Sequence, residues 1–127
     1  MRLLAALALL PLAVLLCPPV AADQTQVVPF ALAPGLGSSW DATVPSHGPV
    51  SIEVVVTRGG SLLGIDIEGP GACSGANAGA GPAGPGMAPT SEVMDCGEVA
   101  PANVPLELST LGGYVRGYLV LRGMTAA

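Results

Sequence analysis

Val50-Ser51-Ile52-Glu53-Val54-Val55-Val56-Thr57, then Arg58-Gly59-Gly60-Ser61, then Leu62-Leu63-Gly64-Ile65-Asp66-Ile67-Glu68 is the stretch whose reading decides the fold class. Two runs rich in β-branched residues flank a Gly-Gly pair, the short-range pattern of a β-hairpin with a type I′ turn. That turn needs φ > 0 at both central positions, which glycine adopts without steric cost. Counting outward from Gly59-Gly60 sets Val56 against Leu63, Val54 against Ile65 and Ile52 against Ile67. These six residues share one face, so the reading predicts that they are buried. The other face sets Glu53 against Asp66 and Ser51 against Glu68. Two carboxylates directly opposite repel unless something neutralises them.

The C-terminal segment repeats the device. Pro105-Leu106-Glu107-Leu108-Ser109-Thr110-Leu111 and Tyr114-Val115-Arg116-Gly117-Tyr118-Leu119-Val120-Leu121-Arg122 flank Gly112-Gly113. The same counting pairs Thr110 with Val115, Leu108 with Gly117 and Leu106 with Leu119, again a continuous apolar face. Upstream, residues 25–32 read as a strand in which Pro29 favours an edge position, because proline cannot donate to a ladder. Ser39 to Val44 alternates, with Trp40, Ala42 and Val44 on the apolar side. Ser91 to Val99 reads as a short strand.

The remaining chain sets boundaries. Met1-Arg2 followed by the apolar run Leu3 to Leu16 has the build of a signal peptide, with Val20-Ala21-Ala22 offering small residues for cleavage after Ala22. Lipid attachment at Cys17 is the alternative. From Asp23 onward the only cations are Arg58, Arg116 and Arg122, against nine acidic residues, which argues against nucleic acid or an anionic membrane as partner. Cys73 and Cys96 form an even pair in an exported chain, so a structural disulfide is expected. It would close a loop worth ~3 kcal/mol in the chain-entropy account. Residues 69–90 are dominated by glycine, alanine and proline, carry no charge and show no period, and read as a long flexible loop.

Few chemistries fit. His47 is the single histidine, and no serine lies in a G-x-S-x-G elbow. A phosphate loop needs its lysine, and the chain has none. The sharpest local candidate is calcium held by Glu53, Asp66 and Glu68 on one exposed sheet face, since hard cations want several oxygen ligands. The plainer alternative is a solvated acidic face near Arg116 or Arg122. Met87 and Met94 are too few for a copper motif. Tyr114 and Tyr118 lie on the outer side of the last strand, about 13 Å apart at the usual rise, and form a candidate platform for a saccharide or other ligand.

The order Trp40-Asp41-Ala42-Thr43-Val44-Pro45, a glycine turn, the strand from Val50 to Thr57, Leu63-Gly64-Ile65-Asp66-Ile67 and a closing strand after Gly112-Gly113-Tyr114 resembles bacterial pre-peptidase C-terminal-type β-sandwich modules over residues 38–123. The resemblance implies an accessory module of a secreted enzyme; the Gly/Ala/Pro stretch and its cysteines depart from that pattern. The expectation is one all-β domain over residues 23–127, an antiparallel sandwich of about seven strands, jelly-roll or immunoglobulin-like, with one disulfide. Composition without lysine and rich in alanine, glycine and proline points to a bacterial protein of the periplasm or exterior. Its expected role is non-catalytic binding or structure, with an unidentified protein or saccharide as partner and no cofactor unless calcium. A cation- or carbohydrate-binding accessory protein is the alternative, and a small secreted hydrolase the third.

Overall fold

The computed structural model describes residues 25–60 and 63–127; the expected leader, its cleavage point and Cys17 lie outside them. Among the described residues the chain forms β1 (Thr25–Leu32), β2 (Ser38–Val44), β3 (Gly48–Gly59), β4 (Ile65–Glu68), a 3-10 turn at Gly71–Cys73, β5 (Ala76–Ala78), β6 (Thr90–Val99), β7 (Ala102–Ser109), β8 (Val115–Arg122) and β9 (Thr125–Ala126). They build two antiparallel sheets, β1-β8-β3-β6 and β5-β4-β7-β2-β9. The all-β sandwich expected from the sequence is present, with nine described strands where about seven were expected.

The ladders have a simple order. β1 pairs with β8, β2 with β7, β3 with β6 and β4 with β5. The chain is thus one long antiparallel ribbon, doubled back at the β4–β5 hairpin and folded over on itself, which is the jelly-roll arrangement. Every connection between successive strands switches sheets except the one from β4 to β5.

This corrects both expected hairpins. β3 and β4 lie in different sheets: β3 pairs with β6 and β8, and β4 with β5 and β7. Gly59 and Gly60 do have the positive φ that the turn reading required, 73° and 102°, yet they turn the chain over the sandwich edge instead of back along the sheet. Other backbone holds them there. Gly59 exchanges two hydrogen bonds with Ala83, at 2.7 and 2.8 Å, and the Gly60 N–H donates to the carbonyl of Tyr114. Likewise β7 and β8 separate at Gly112-Gly113, neither of which has positive φ.

The expected faces fared better than the expected partners. Ile52, Val54, Val56, Ile65 and Ile67 are all buried, whereas Leu63 is 61% exposed at the corner. Leu106, Leu108, Leu119, Leu121 and Val115 join them from the other strands. Alternation decides which side of a strand is apolar irrespective of what the strand pairs with, so a wrong partner leaves the face right. Pro29 sits in edge strand β1, as expected, and Trp40 is only half-buried at the margin of the core.

Residues 69–90 are folded, contrary to the expected loop. They contain the hairpin tip, strand β5 and the bridge at Ala83, and Ala78, Ala80 and Ala83 are buried. Small side chains are what this path requires, since it passes directly over the β3 corner: a Cβ on Gly60 would come within 3.3 Å of Gly81 and Pro82. The β6 strand is correspondingly longer than the short strand expected there.

The Cys73–Cys96 disulfide is formed and joins the hairpin tip of one sheet to the edge strand of the other, across a sequence separation of 23. Cys96 has no partner in the β3 register, which steps from Val50↔Gly97 to Ser51↔Asp95. It is the extra residue of a bulge, and Gly97 follows it at φ 78° with its N–H on the Asp95 carboxylate. Bulges re-aim a side chain, here into the core.

Two outcomes follow. Replacing both cysteines with alanine lowers unfolding stability by about 3 kcal/mol, measured by urea titration. Gly117→Ala costs about 1–3 kcal/mol, because the new methyl runs into the Val55 carbonyl and the neighbouring backbone cannot give way cheaply.

Candidate functional site

The two outer faces of the sandwich differ in chemistry. On the four-stranded sheet, the register lines up rows across the strands: Thr25, Arg122, Ser51 and Asp95; then Val27, Val120, Glu53 and Val93; then Pro29, Tyr118, Val55 and Ser91. The middle rows are mostly apolar and partly open, with Val27 59%, Val93 57% and Tyr118 36% exposed. Arg116 begins the next row, opposite Ala31 on one side.

On its other side Arg116 faces Arg58. That placement depends on a second bulge. The register steps from Val56↔Gly117 to Arg58↔Arg116, leaving Thr57 as the extra residue. Strict alternation would turn Arg58 inward, two residues after buried Val56; the bulge instead leaves both Thr57 and Arg58 exposed. The Thr57 hydroxyl donates to the Arg116 carbonyl at 3.1 Å and ties the bulge down. Gly117 makes it possible, since any side chain there would meet the Val55 backbone.

Arg58, Arg116 and Tyr114 line a cleft of about 290 Å³ with Ala31, Leu32, Gly59 and Val115, at the end of the sheet where β1, β3 and β8 converge. An open depression over Pro29, Phe30, Ala31, Thr57 and Gly117 adjoins it, and Arg116 borders both. Tyr114 stands at the rim, 77% exposed. Neither Arg58 nor Arg116 forms an ion pair among the described residues; Arg122 does, at 3.3 Å from Glu53. Two guanidinium groups directly opposite one another repel, and among the described residues no carboxylate is paired with either.

The expected calcium trio does not assemble. Glu53 lies on the four-stranded sheet with Arg122, whereas Asp66 and Glu68 lie on the five-stranded sheet. Their proximity rested on pairing β3 with β4, and that pairing is absent. Asp66 accepts from the Asn77 amide at 2.8 Å and Glu68 from the Ser74 hydroxyl at 3.1 Å. Among the described residues no group of three or more His, Cys, Asp or Glu is arranged to hold a metal ion. The solvated acidic face with an arginine from a neighbouring strand is what Glu53 shows.

The directly opposed acids are instead Glu68 and Glu107, on β4 and β7. With Asp66, Ser39 and Ser109 they line a second cleft, also about 290 Å³. Tyr118 is in the outward-facing row of β8 and Tyr114 precedes that strand at the rim of the cleft; both are exposed, with Arg116 between them in sequence. The sequence reading missed Arg58, and the signal that could have found it was Gly117: a lone glycine within a β-branched strand marks a bulge or a close backbone approach.

Substitution separates the two kinds of arginine. Arg116→Gln relieves repulsion and raises stability by a few tenths to about 1 kcal/mol. Arg122→Gln breaks its exposed pair with Glu53 and lowers stability by up to about 1 kcal/mol. Urea unfolding at low salt reads both, and equal signs would refute the assignment of Arg58 and Arg116 as an unneutralised pair.

In comparisons with known proteins, no family model, no curated protein and no solved structure matches the chain, so the resemblance to pre-peptidase C-terminal modules rests on the residues quoted for it alone.

Proposed function

We propose that this chain is an exported, non-catalytic binding module whose contact surface is the outer face of the four-stranded sheet. One observation carries the reading: a backbone bulge turns Arg58 outward to stand opposite Arg116, at a cost in repulsion, beside exposed tyrosine and valine side chains. A fold that keeps like charges together without a partner is spending stability where an outside ligand can return it. The disulfide fits an oxidising compartment, hence the periplasm or exterior, and no described helix is long and apolar enough to cross a membrane.

The distribution of groups supports a binding role over a catalytic one. His47, the one histidine, lies before β3, and Arg58 lies near that strand's other end, about 33 Å away at the usual strand rise. It is exposed and sits 3.9 Å from the equally exposed Glu98, on the far side from the cleft. A saccharide is the second reading, favoured by the exposure of Tyr114 beside hydrogen-bonding guanidinium groups.

A photo-crosslinking side chain at position 118, introduced in the host that exports the protein, is expected to form adducts. The same side chain at exposed position 46, in the β2–β3 loop, is expected to form none. Adducts at position 46 with none at position 118 would overturn the assignment.

A further inference from the structure

The choice of partner rests on the four-stranded sheet being the contact surface, and on what the opposite side of the same molecule presents. The three described arginines all lie on the four-stranded sheet, at Arg58, Arg116 and Arg122. The outer face of the five-stranded sheet carries Asp41, Asp66, Glu68 and Glu107, all exposed, with no described cation among them. The hydrogen bonds to Asp66 and Glu68 come from an amide and a hydroxyl, neither of which is a cation.

The acids of the four-stranded face, Glu53 and Asp95, lie away from Arg58 along β3 and β6, Glu53 paired with Arg122, and at the Arg58 end the two faces are complementary in spacing as well as in sign. Arg58 and Arg116 are cross-strand neighbours, and so are Glu68 and Glu107. Side chains so placed have Cβ atoms about 5 Å apart in either sheet. Each pair is a local repulsion that the other would cancel through charge-assisted hydrogen bonds, which guanidinium and carboxylate form in parallel. We infer that the occupant of the four-stranded face is a second copy of this chain, which presents its five-stranded face. The Arg58–Arg116 pair of one copy then seats on the Glu68–Glu107 pair of the next.

Because the two faces lie on opposite sides of one sandwich, the contact is heterologous. The same step repeats from copy to copy and gives an open chain, or a ring if the rotation closes. Four strands about 4.8 Å apart and roughly 26 Å long bury on the order of 500 Å² per copy. The total of about 1,000 Å² sits at the small end of specific interfaces, so the association is weak, concentration-dependent and sensitive to salt.

Sedimentation velocity on the disulfide-bonded protein tests this. The expected result is mass growth with concentration at low salt, reversed at about 0.5 M salt, where surface charge is screened within a few ångströms. The double variants R58E/R116E and E68R/E107R, each carrying two faces of like sign, are expected to stay monomeric alone. Mixed in equal amounts they should regain at least tenfold in association, because each then meets a complementary face. If either fails to fold by circular dichroism, R116Q and E107Q give the same comparison with smaller losses. A wild-type protein that stays monomeric up to about 1 mM, a discrete dimer that survives E68R/E107R, or a mixture that stays monomeric would each overturn the inference. Crosslinks at position 118 to a different molecule would likewise exclude a second copy while leaving the contact surface standing.

Discussion

Pairing of the first half of the chain with the second, strand by strand outward from the β4–β5 hairpin, is the constraint on which the rest of this structure depends. A ribbon that folds over must bend both of its strands at the same place. At the first corner Gly59, Gly60 and Gly64 bend one strand while residues 79–86, with Gly79, Gly81, Gly84 and Gly86, bend the other. At the next, Pro45 in one strand lies opposite Pro101 in the other, and at the outermost Gly35 and Gly37 lie opposite Gly112 and Gly113 in the ribbon's order. The glycines at these corners are therefore not surplus flexibility but what lets both strands of a wound ribbon turn together. The Gly/Ala/Pro stretch looked formless because its period is that of a corner, which has none.

What was legible in the sequence was local. Alternation of apolar side chains in residues 50–56 and 106–121 needs only neighbours along the strand, so the buried faces could be read directly. The paired cysteines could be read because few other roles suit two such residues in an exported chain. Partnership was not legible. A Gly-Gly flanked by β-branched runs serves a hairpin and a sheet-to-sheet corner equally, and what selects the corner is β6 and β8 occupying both sides of β3. That competition comes from residues 90–99 and 115–122, distant in sequence. The calcium trio inherited the same error, since Glu53 and Asp66 meet only if the hairpin closes.

The site residues divide along the same line. Tyr118 was placed on the outer surface by parity alone. Arg58 could not be, because parity points it inward, and only the extra residue at Thr57 reverses it. Such irregularities break the rule that makes strands readable, and they are also where a strand can present a group the regular ladder would hide. Both bulges on β3 and its partner do this, one turning a guanidinium to solvent and the other turning Cys96 to the core. The sandwich consequently has one side that carries all three described arginines beside exposed apolar groups, and another whose described charges are all acidic, a polarity that the net charge of the chain conceals.

The position of the disulfide also bears on how the ribbon forms. Closing a loop costs conformational entropy that rises with its length, and joining β1 to β8 directly from the open chain would close nearly the whole described chain. Once β4 lies on β5, the ends of β3 and β6 are already neighbours, and each outer pair then needs only a short closure. A covalent link between Cys73 at the hairpin tip and Cys96 on β6 holds together the parts of the first two pairs. Zipping outward from that link avoids the long searches that make non-local β topologies slow to fold. The one covalent cross-link of the jelly roll therefore sits where loop closure is shortest, at the centre from which the nested pairs extend out to β1 and β8.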